Sequence, residues 1–313
     1  MRRVQLGRTG LATSVAGLGC GGHSRLGATT GASFAESVAV VRSAIALGIN
    51  YIDTAPRYGT EEIVGAALVG RRDEVVLSTK AMPFEPDGSL LDGPALRQSV
   101  ERSLKNLRTD VIDVFHLHGV ADDTYDRCVA ELVPELIALQ ERGEIRFLAL
   151  SERFAEDPGH TMLGRAVHDD WWDVVMVGFN ILNRSARERV LGVARSKDIG
   201  VEVMYAVRRG LSDPSELRHI VSLLVEQGRI EPEAVDRDDP LGFLVHDGGA
   251  SSVVDAAYRF ARDEPGCHVV LTGTGNVDHL RDNVRSLDAP RLPEADRQRL
   301  ELLFGAIDDL TGN

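Results

Sequence analysis

Hydrophobic segments of two kinds alternate along the chain. Short runs rich in Val, Ile and Leu, such as residues 75–80 (VVLSTK) and 111–119, predict buried strands. Longer segments, such as 36–48 and 96–107, carry apolar residues at helical spacing, and a glycine often marks their end. Strands that are apolar on both faces are typical of a parallel sheet. The alternation predicts eight strands, at 15–19, 50–55, 75–80, 111–119, 146–152, 172–180, 201–207 and 268–275.

Eight strand–helix units in a chain of 313 residues favour a closed (β/α)8 barrel, the TIM barrel, over a doubly wound sheet. No Pro/Gly/Ser-rich linker divides the chain, so residues 1–313 are expected to form one domain. The segment 4–14 predicts an N-terminal hairpin that plugs the bottom of the barrel, and 293–308 predicts an extra C-terminal helix. In such a barrel the chemistry lies at the C-terminal ends of the strands.

Composition narrows the class of partner. The formal net charge of −13 disfavours binding to nucleic acid or to an anionic membrane, because phosphate groups require clustered Lys and Arg. No stretch approaches the roughly 20 apolar residues that span a bilayer, and the N-terminus does not have the pattern of a secretory signal. Three widely spaced cysteines suggest neither disulfides nor a zinc ribbon. We therefore expect a cytoplasmic protein with a small-molecule partner.

Polar residues at successive strand ends predict a shared site. Lys80 is one of only three lysines, and it closes an apolar strand. A buried ammonium group requires a carboxylate, and Asp53 at the end of the neighbouring strand is the natural partner. Tyr58 follows in a Pro/Gly turn, where a nearby cation is expected to lower its pKa and make it a proton donor. Taken singly, each residue also fits an ordinary structural role.

The segment FHLHG offers two histidines on one face of the fourth strand. His118 is nearer the mouth of the barrel and is the better candidate for chemistry, whereas His116 lies one layer deeper or faces outward. An H-x-H pair also holds zinc in metal-dependent barrel hydrolases. In those enzymes the pair lies near the start of the barrel, so a hydrolase that uses His116 and His118 is the weaker alternative. We expect no metal.

Several motifs, in order, carry a resemblance over nearly the whole chain: LGRTGLATSVAGLGCGG, GINYIDTAPRYGTEEIVGAAL, VVLSTK and RQSVERSLKNLRTDVIDVFHLHG. Together they resemble the aldo-keto reductase superfamily. The resemblance implies hydride transfer, without a metal, between a nicotinamide cofactor and the carbonyl carbon of a small-molecule carbonyl, sugar or alcohol. It implies Tyr58 as general acid or base, Lys80 and Asp53 as the pair that tunes it, and His118 as the residue that orients the carbonyl.

The resemblance also implies NADP(H) as the cofactor, with NAD(H) as the alternative. No clear arginine fork for a 2′-phosphate is present, so we expect a weaker NADPH preference than is usual. The N-terminus of the helix at 276–287 is expected to face the phosphates. The implied cofactor contacts are Gly19, Cys20, Ser151, Met176, Met204, Tyr205, Gly273, Thr274, His279 and Asn283.

Three positions depart from the common pattern around the nicotinamide. Glu152 and Met176 stand where an Asn and a Gln commonly hold the carboxamide, and a carboxylate cannot donate as an amide does. Met204, with Tyr205 beside it, stands where an aromatic ring commonly stacks. Sugar 1-dehydrogenases such as L-galactose dehydrogenase also vary this subsite, so a branch near them is implied. The same departures leave one alternative open, a non-enzymatic cofactor-binding member of the fold.

Overall fold

The computed structural model describes residues 1–313, and eight parallel strands in it close into the barrel that the sequence predicts. The strands follow one another around the barrel in chain order, and the last closes on the first. They are β3 (Ala16–Gly19), β4 (Tyr51–Asp53), β5 (Val76–Ala81), β6 (Ile112–Val120), β7 (Ile145–Glu152), β8 (Val174–Gly178), β9 (Gly200–Met204) and β10 (Val269–Thr272).

Helices pack against the outside of this sheet, and several begin at a capping side chain. Ser33 accepts from the backbone N–H of Glu36 and so caps the first helix, and Asp92 caps the third by accepting from Ala95. The helices are α1 (Phe34–Ala46), α2 (Glu61–Ala67), α3 (Gly93–Leu107), α4 (Tyr125–Glu141), α5 (Thr161–Ala166), α6 (Gly192–Ser196), α7 (Arg209–Ser212), α8 (Pro214–Glu226), α9 (Val253–Arg262), α10 (Val277–Asp288) and the predicted extra C-terminal helix α11 (Glu294–Phe304). No helix combines the length and apolar character that crossing a bilayer requires.

The predicted hairpin closes the lower end of the barrel. Its strands β1 (Arg3–Gln5) and β2 (Ala12–Ser14) pair antiparallel, and a short 3₁₀ turn joins them. Leu6 and Leu11 from this turn region pack into an apolar cluster with residues at the bottom of the barrel strands. A Cβ atom on Gly200 would lie 2.8 Å from Cγ of Leu6, so the absence of a side chain there lets the plug enter.

Strand alternation sorts the side chains that point into the barrel into layers. Val76 and Val114 belong to the apolar bottom cluster, so Ser78 and Lys80 on β5, and His116 and His118 on β6, face the same interior at increasing height. Interiors of such barrels are usually filled by bulky branched residues. Here the middle layer is polar, and the mouth above it carries the charged side chains.

Candidate active site

A buried ion pair lies at the centre of the mouth. Lys80 is fully buried, and its Nζ donates to Oδ1 of Asp53 on the adjacent strand and to the carbonyl of Thr54 at 3.1 Å. The hydroxyl of Ser78 donates to the same carboxylate oxygen at 2.9 Å. Burial by itself lowers the pKa of Lys80, but the charges of Asp53, Tyr58 and Glu202 outweigh it, so the net shift is upward. Lys80 therefore carries its charge at neutral pH.

Tyr58 and His118 meet beside this pair. Tyr58 ends the short 3₁₀ turn Pro56–Tyr58, which turns back because Gly59 adopts a left-handed conformation (φ 69°). The hydroxyl of Tyr58 lies 3.5 Å from Nε2 of His118, and Nζ of Lys80 lies 5.5 Å from the centroid of the tyrosine ring. The structure thus brings the four sequence-predicted residues Asp53, Tyr58, Lys80 and His118 into one site.

The pKa of Tyr58 shifts in the direction opposite to the one predicted. We expected the cation of Lys80 to lower it, and Lys80 does act in that sense. Burial of the phenol is the larger effect, however, and it raises the pKa of Tyr58 above its ordinary value. Tyr58 is therefore a phenol, not a phenolate, at neutral pH, as a proton donor must be.

His118 is an uncharged imidazole. Burial lowers its pKa to about 3, and the positive charges of Lys80, Arg57 and Arg153 add to the effect. A neutral imidazole has one nitrogen that donates and one that accepts. His118 can therefore orient a carbonyl oxygen by donating a hydrogen bond, but it does not supply a positive charge.

Gly21 is a site residue that the sequence interpretation missed. A Cβ atom at this position would lie 2.7, 2.8 and 2.9 Å from three carbons of the Tyr58 ring. The tyrosine can pack against the backbone after β3 only because residue 21 has no side chain. The sequence predicted only that the glycine-rich run GLGCGG contacts the cofactor. Nothing except the presence of a glycine at position 21 indicated that it also makes room for the Tyr58 ring.

Residues 19 and 20 can offer a cofactor little more than their backbone. Gly19 ends β3 at the mouth of the barrel. The side chain of Cys20 is fully buried, and the backbone N–H of Cys20 donates to the carbonyl of Asp53 at 2.8 Å. Burial, together with the charge of Asp53, raises the pKa of the Cys20 thiol well above its ordinary value. Cys20 is therefore an inert packing residue.

Glu152 does not project into the mouth. Both of its carboxylate oxygens lie 3.0 Å from Nδ1 of His160, and Oε1 also accepts the N–H of Gly178 at 2.7 Å. The side chains of Glu152 and His160 are fully buried. The sequence left open whether Glu152 rebuilds the nicotinamide subsite or weakens cofactor binding; in the structure its carboxylate fastens the end of β7 to the end of β8 and to the segment before α5.

The other residues expected near the nicotinamide lie at neighbouring strand ends. Ser151 lies at the end of β7 and its hydroxyl accepts the N–H of Gly119 at 2.8 Å, and Met176 is buried in β8. Met204 is the last residue of β9. Tyr205 follows in a left-handed conformation (φ 64°), and its half-buried ring has the guanidinium of Arg208 4.3 Å from its centroid. Tyr205 is therefore the aromatic residue directly after the seventh barrel strand.

The end of β10 and the start of α10 are built around small residues and a cap. Gly273 is exposed, and a Cβ atom there would lie 3.1 Å from the carbonyl oxygen of Gly19. Thr274 is buried, with its hydroxyl accepting the N–H of Asn276 at 3.0 Å. The Asn276 side chain accepts the N–H groups of Asp278 and His279, so two donors of the helix N-terminus already have a partner.

Among the polar side chains of α10, not all are free to contact a ligand. His279 is exposed in the first turn, whereas Asn283 donates to the hydroxyl of Thr272 at 2.7 Å. Arg281 forms an exposed ion pair with Asp278 at 2.6 Å. Of the side chains considered for the nucleotide end, His279 is thus the exposed polar one that is not already bound to another side chain.

His116 and His118 do not converge on a common site. Nε2 of His118 faces Tyr58, while Nε2 of His116 lies 3.2 Å from Oε1 of Glu202. One group of potential ligand atoms, from Asp53, His116 and Glu202, lies within 4.8 Å, but His118 is not part of it and Lys80 already binds Asp53. This geometry argues against the H-x-H hydrolase.

A cavity of about 610 Å³ opens beside the site, between the loops that follow four of the barrel strands. Only three of its eleven lining residues are hydrophobic, and both signs of charge are present. Its walls include Arg57, Met82, Phe84, Ala121, Arg153 and Glu156. A second cavity, of about 500 Å³, shares Arg57 and Met82 with it and extends to Lys80 and His118.

Comparison with known proteins gives a consistent result. The model of the aldo/keto reductase family matches residues 17–303. The chain is 27% identical over 311 residues to the uncharacterized oxidoreductase YqkF of Bacillus subtilis (strain 168), covering 96% of each chain. It is 34% identical over 153 residues to L-galactose dehydrogenase of Arabidopsis thaliana, covering 47% of each chain. The fold matches that of an aldo/keto reductase from Klebsiella pneumoniae, solved in complex with NADP and acetate, with a TM-score of 0.67, 23% identity and coverage of 96% and 95%.

Proposed function

This chain belongs to the aldo/keto reductase family, and we propose that it is an NADP(H)-dependent oxidoreductase that interconverts a carbonyl group and an alcohol. The observation that carries the proposal is the placement of the Tyr58 hydroxyl 3.5 Å from Nε2 of His118, beside the buried Lys80–Asp53 pair. A proton donor, an uncharged hydrogen-bond donor and a fixed cation are the groups that carbonyl reduction requires around one oxygen atom.

The chain itself performs the proton transfer and the orientation. His118 donates a hydrogen bond to the substrate oxygen and so fixes its position. Tyr58 donates its proton to that oxygen as negative charge develops, and the ammonium group of Lys80 stabilises the phenolate that remains. In the direction of oxidation the phenolate accepts the proton from the alcohol. When bound, the nicotinamide cofactor supplies or accepts the hydride at the carbon atom.

The mouth of the barrel offers that cofactor bare glycine backbone, the hydroxyl of Ser151 and the ring of Tyr205. Gly19 and Gly273 present bare backbone at the mouth, which allows the close approach that a dinucleotide needs. Ser151 and the ring of Tyr205 lie at neighbouring strand ends, where they can contact a nicotinamide. The first turn of α10 can receive phosphate, although Asn276 already occupies two of its donors.

We infer that NADP(H) is the cofactor and that NAD(H) also serves. The family and the structural relative solved with NADP support the first part. The second part follows from the side chains near the end of β10, where Arg281 is paired with Asp278 and no arginine fork is free for a 2′-phosphate. Dissociation constants for NADPH and NADH within about 100-fold of each other are expected, equivalent to less than about 3 kcal/mol. A larger NADPH advantage would contradict this inference.

The substrate we propose is a hydroxylated carbonyl compound, such as an aldose, or the corresponding alcohol. The two cavities next to the site, of which the second reaches His118, are lined mainly by polar and charged residues, which suits hydroxyl groups better than a flat apolar skeleton. Similarity to an L-galactose dehydrogenase over about half the chain supports the same class.

Nicotinamide absorbance, followed with a panel of aldoses, simple aldehydes and ketones, tests the proposal. Both directions and both cofactors are included. Turnover of at least one aldose is expected, at a higher kcat/KM than that of an apolar ketone of similar size. Tight NADP(H) binding without turnover of any panel member would favour the non-enzymatic alternative. Stoichiometric zinc in active protein would contradict the metal-free chemistry.

A further inference from the structure

A second buried polar cluster lies beneath the Lys80–Asp53 pair. It comprises Tyr51 on β4, His116 on β6 and Glu202 on β9, and all three residues are 0% exposed. The hydroxyl of Tyr51 donates to Oε1 of Glu202, and Nε2 of His116 lies 3.2 Å from the same oxygen. These residues are far apart in sequence, so the contact exists only because the barrel closes.

The contacts of Glu202 favour an ionised carboxylate. Two groups that can donate, a phenol and an imidazole nitrogen, converge on a single oxygen of Glu202. Hydrogen bonds to an ionised acceptor are the strong ones, and Oε1 receives both of them, whereas Oε2 of Glu202 is buried without a hydrogen-bond partner. A buried carboxylate is costly unless positive charge is close by. The buried carboxylate of Glu202 is therefore expected to lie close to a positive charge.

Lys80 is the charge that the network faces. Lys80 and His116 are register partners on adjacent strands, so their side chains stand next to each other inside the barrel. The ligand atoms of Glu202, His116 and Asp53 lie within 4.8 Å of one another, and Asp53 holds the ammonium group. Lys80 thus faces two carboxylates, whereas one would suffice to neutralise it.

We propose that Glu202, held by Tyr51 and His116, is a positioning residue that keeps Lys80 protonated while Tyr58 gains and loses its proton. The role rests on the proposed function, in which Lys80 must stabilise a phenolate without giving up its own proton. A buried lysine without sufficient negative charge nearby loses its proton several units below its ordinary pKa. The carboxylate of Glu202 adds the negative charge that prevents this.

Seven titratable groups lie around Lys80. These groups are Cys20 after β3, Tyr51 and Asp53 on β4, Tyr58 in the turn after β4, His116 and His118 on β6, and Glu202 on β9. Among them, Asp53, Tyr58 and Glu202 act together to raise the pKa of Lys80 against the opposing effect of burial. The sign of this contribution agrees with the geometry.

The composition of the chain makes a direct measurement simple. Lys80, Lys105 and Lys197 are the only lysines, so protein labelled with ¹³C at the lysine ε-carbons gives three side-chain signals. The variants Lys105→Arg and Lys197→Arg assign the two signals outside the site. The signals are followed over about pH 8 to 12 in the wild type, in Glu202→Gln and in Tyr51→Phe, since a free lysine titrates at about 10.4.

In the wild type the titration midpoint of Lys80 is expected above the ordinary lysine value of about 10.4. Glu202→Gln keeps the shape of the side chain but removes its charge, and is expected to lower the midpoint by about one unit or more. Tyr51→Phe keeps the charge and removes one hydrogen bond, so its shift is smaller. Kinetically, kcat of Glu202→Gln falls at alkaline pH while KM is unchanged.

An identical Lys80 midpoint in the wild type and in folded Glu202→Gln would overturn the proposal. If that variant does not fold, the wild type alone decides, because a Lys80 midpoint below the ordinary lysine value of about 10.4 would also overturn the proposal. The titration uses no cofactor or substrate. If the protein turns over no carbonyl compound, the proposed function is contradicted, but the titration still tests the role of Glu202 independently.

Discussion

The hydroxyl of Tyr58 lies 3.5 Å from Nε2 of His118, and the two rings meet edge to face with 5.6 Å between their centroids. An oxygen atom in contact with both groups would receive a hydrogen bond from each. The histidine is neutral and the tyrosine is protonated, so the pair can orient a carbonyl and then protonate it without any change in the charge of His118.

Removing the cation of the buried ion pair is expected to destabilise the fold. Lys80→Met leaves Asp53 as an unpaired buried charge, which typically costs about 3–5 kcal/mol in the free energy of unfolding. The double variant Asp53→Asn/Lys80→Met removes both charges and is expected to recover part of this loss. Denaturant unfolding measures both, and a double variant no more stable than Lys80→Met would contradict the assignment.

Gly21→Ala is expected to impair catalysis more than folding. The added methyl group meets the Tyr58 ring at 2.7–2.9 Å and must displace it. A displacement of about 1 Å at a reacting group can cost about 100-fold in rate. Gly164→Ala is the matched control, because its Cβ atom would meet nothing closer than 3.6 Å. Equal kcat values in the two variants would show that the Gly21–Tyr58 contact does not position the ring.

The pH profile of reduction is expected to lack a step near the ordinary pKa of histidine. Burial lowers the pKa of His118 to about 3, so its imidazole is neutral from about pH 5 upward. Tyr58 must be protonated to donate, and its raised pKa keeps it so until the solution is alkaline. The profile of kcat/KM should thus be flat from about pH 5 to 9 and fall only in more alkaline solution, where a phenol with an ordinary pKa of about 10 or above loses its proton. A limb near pH 6.5 that disappears in His118→Gln would contradict this account.

Glu152→Ala is expected to change stability and not cofactor affinity. The carboxylate satisfies His160 and the N–H of Gly178, so its removal leaves buried donors without partners, at a cost of about 2–4 kcal/mol. Thermal unfolding should show the loss, while the Kd for NADPH stays within about threefold of the wild-type value. A tenfold weaker Kd with unchanged unfolding would place Glu152 in the cofactor site after all.

Local pattern was sufficient to predict the residues that the barrel gathers at its mouth. Asp53, Lys80 and His118 each lie at the end of an apolar strand, and neighbouring parallel strands end at the same edge, so their proximity follows from the fold. Alternation along β6 also distinguished His118 at the mouth from His116 one layer below.

What could not be predicted depends on contacts between distant segments or on opposing effects of similar size. The Tyr51–Glu202 hydrogen bond joins residues 151 positions apart, and nothing near either residue indicates the other. Glu152 was interpreted from the residue type usual at its position, but the buried His160 determines where it points. The pKa of Tyr58 depends on whether burial or Lys80 has the greater effect, which requires coordinates.

The comparison of Tyr58→Phe with wild type tests the central claim most directly. The variant keeps the ring that packs on Gly21 and removes only the hydroxyl, and Tyr125→Phe serves as a control tyrosine in α4. Steady-state turnover of the best panel substrate is measured together with the Kd for NADPH. We predict a fall in kcat of about 10²–10⁴-fold with the Kd unchanged, as for loss of a general acid. Wild-type turnover in Tyr58→Phe would contradict the assignment of Tyr58 as the proton donor.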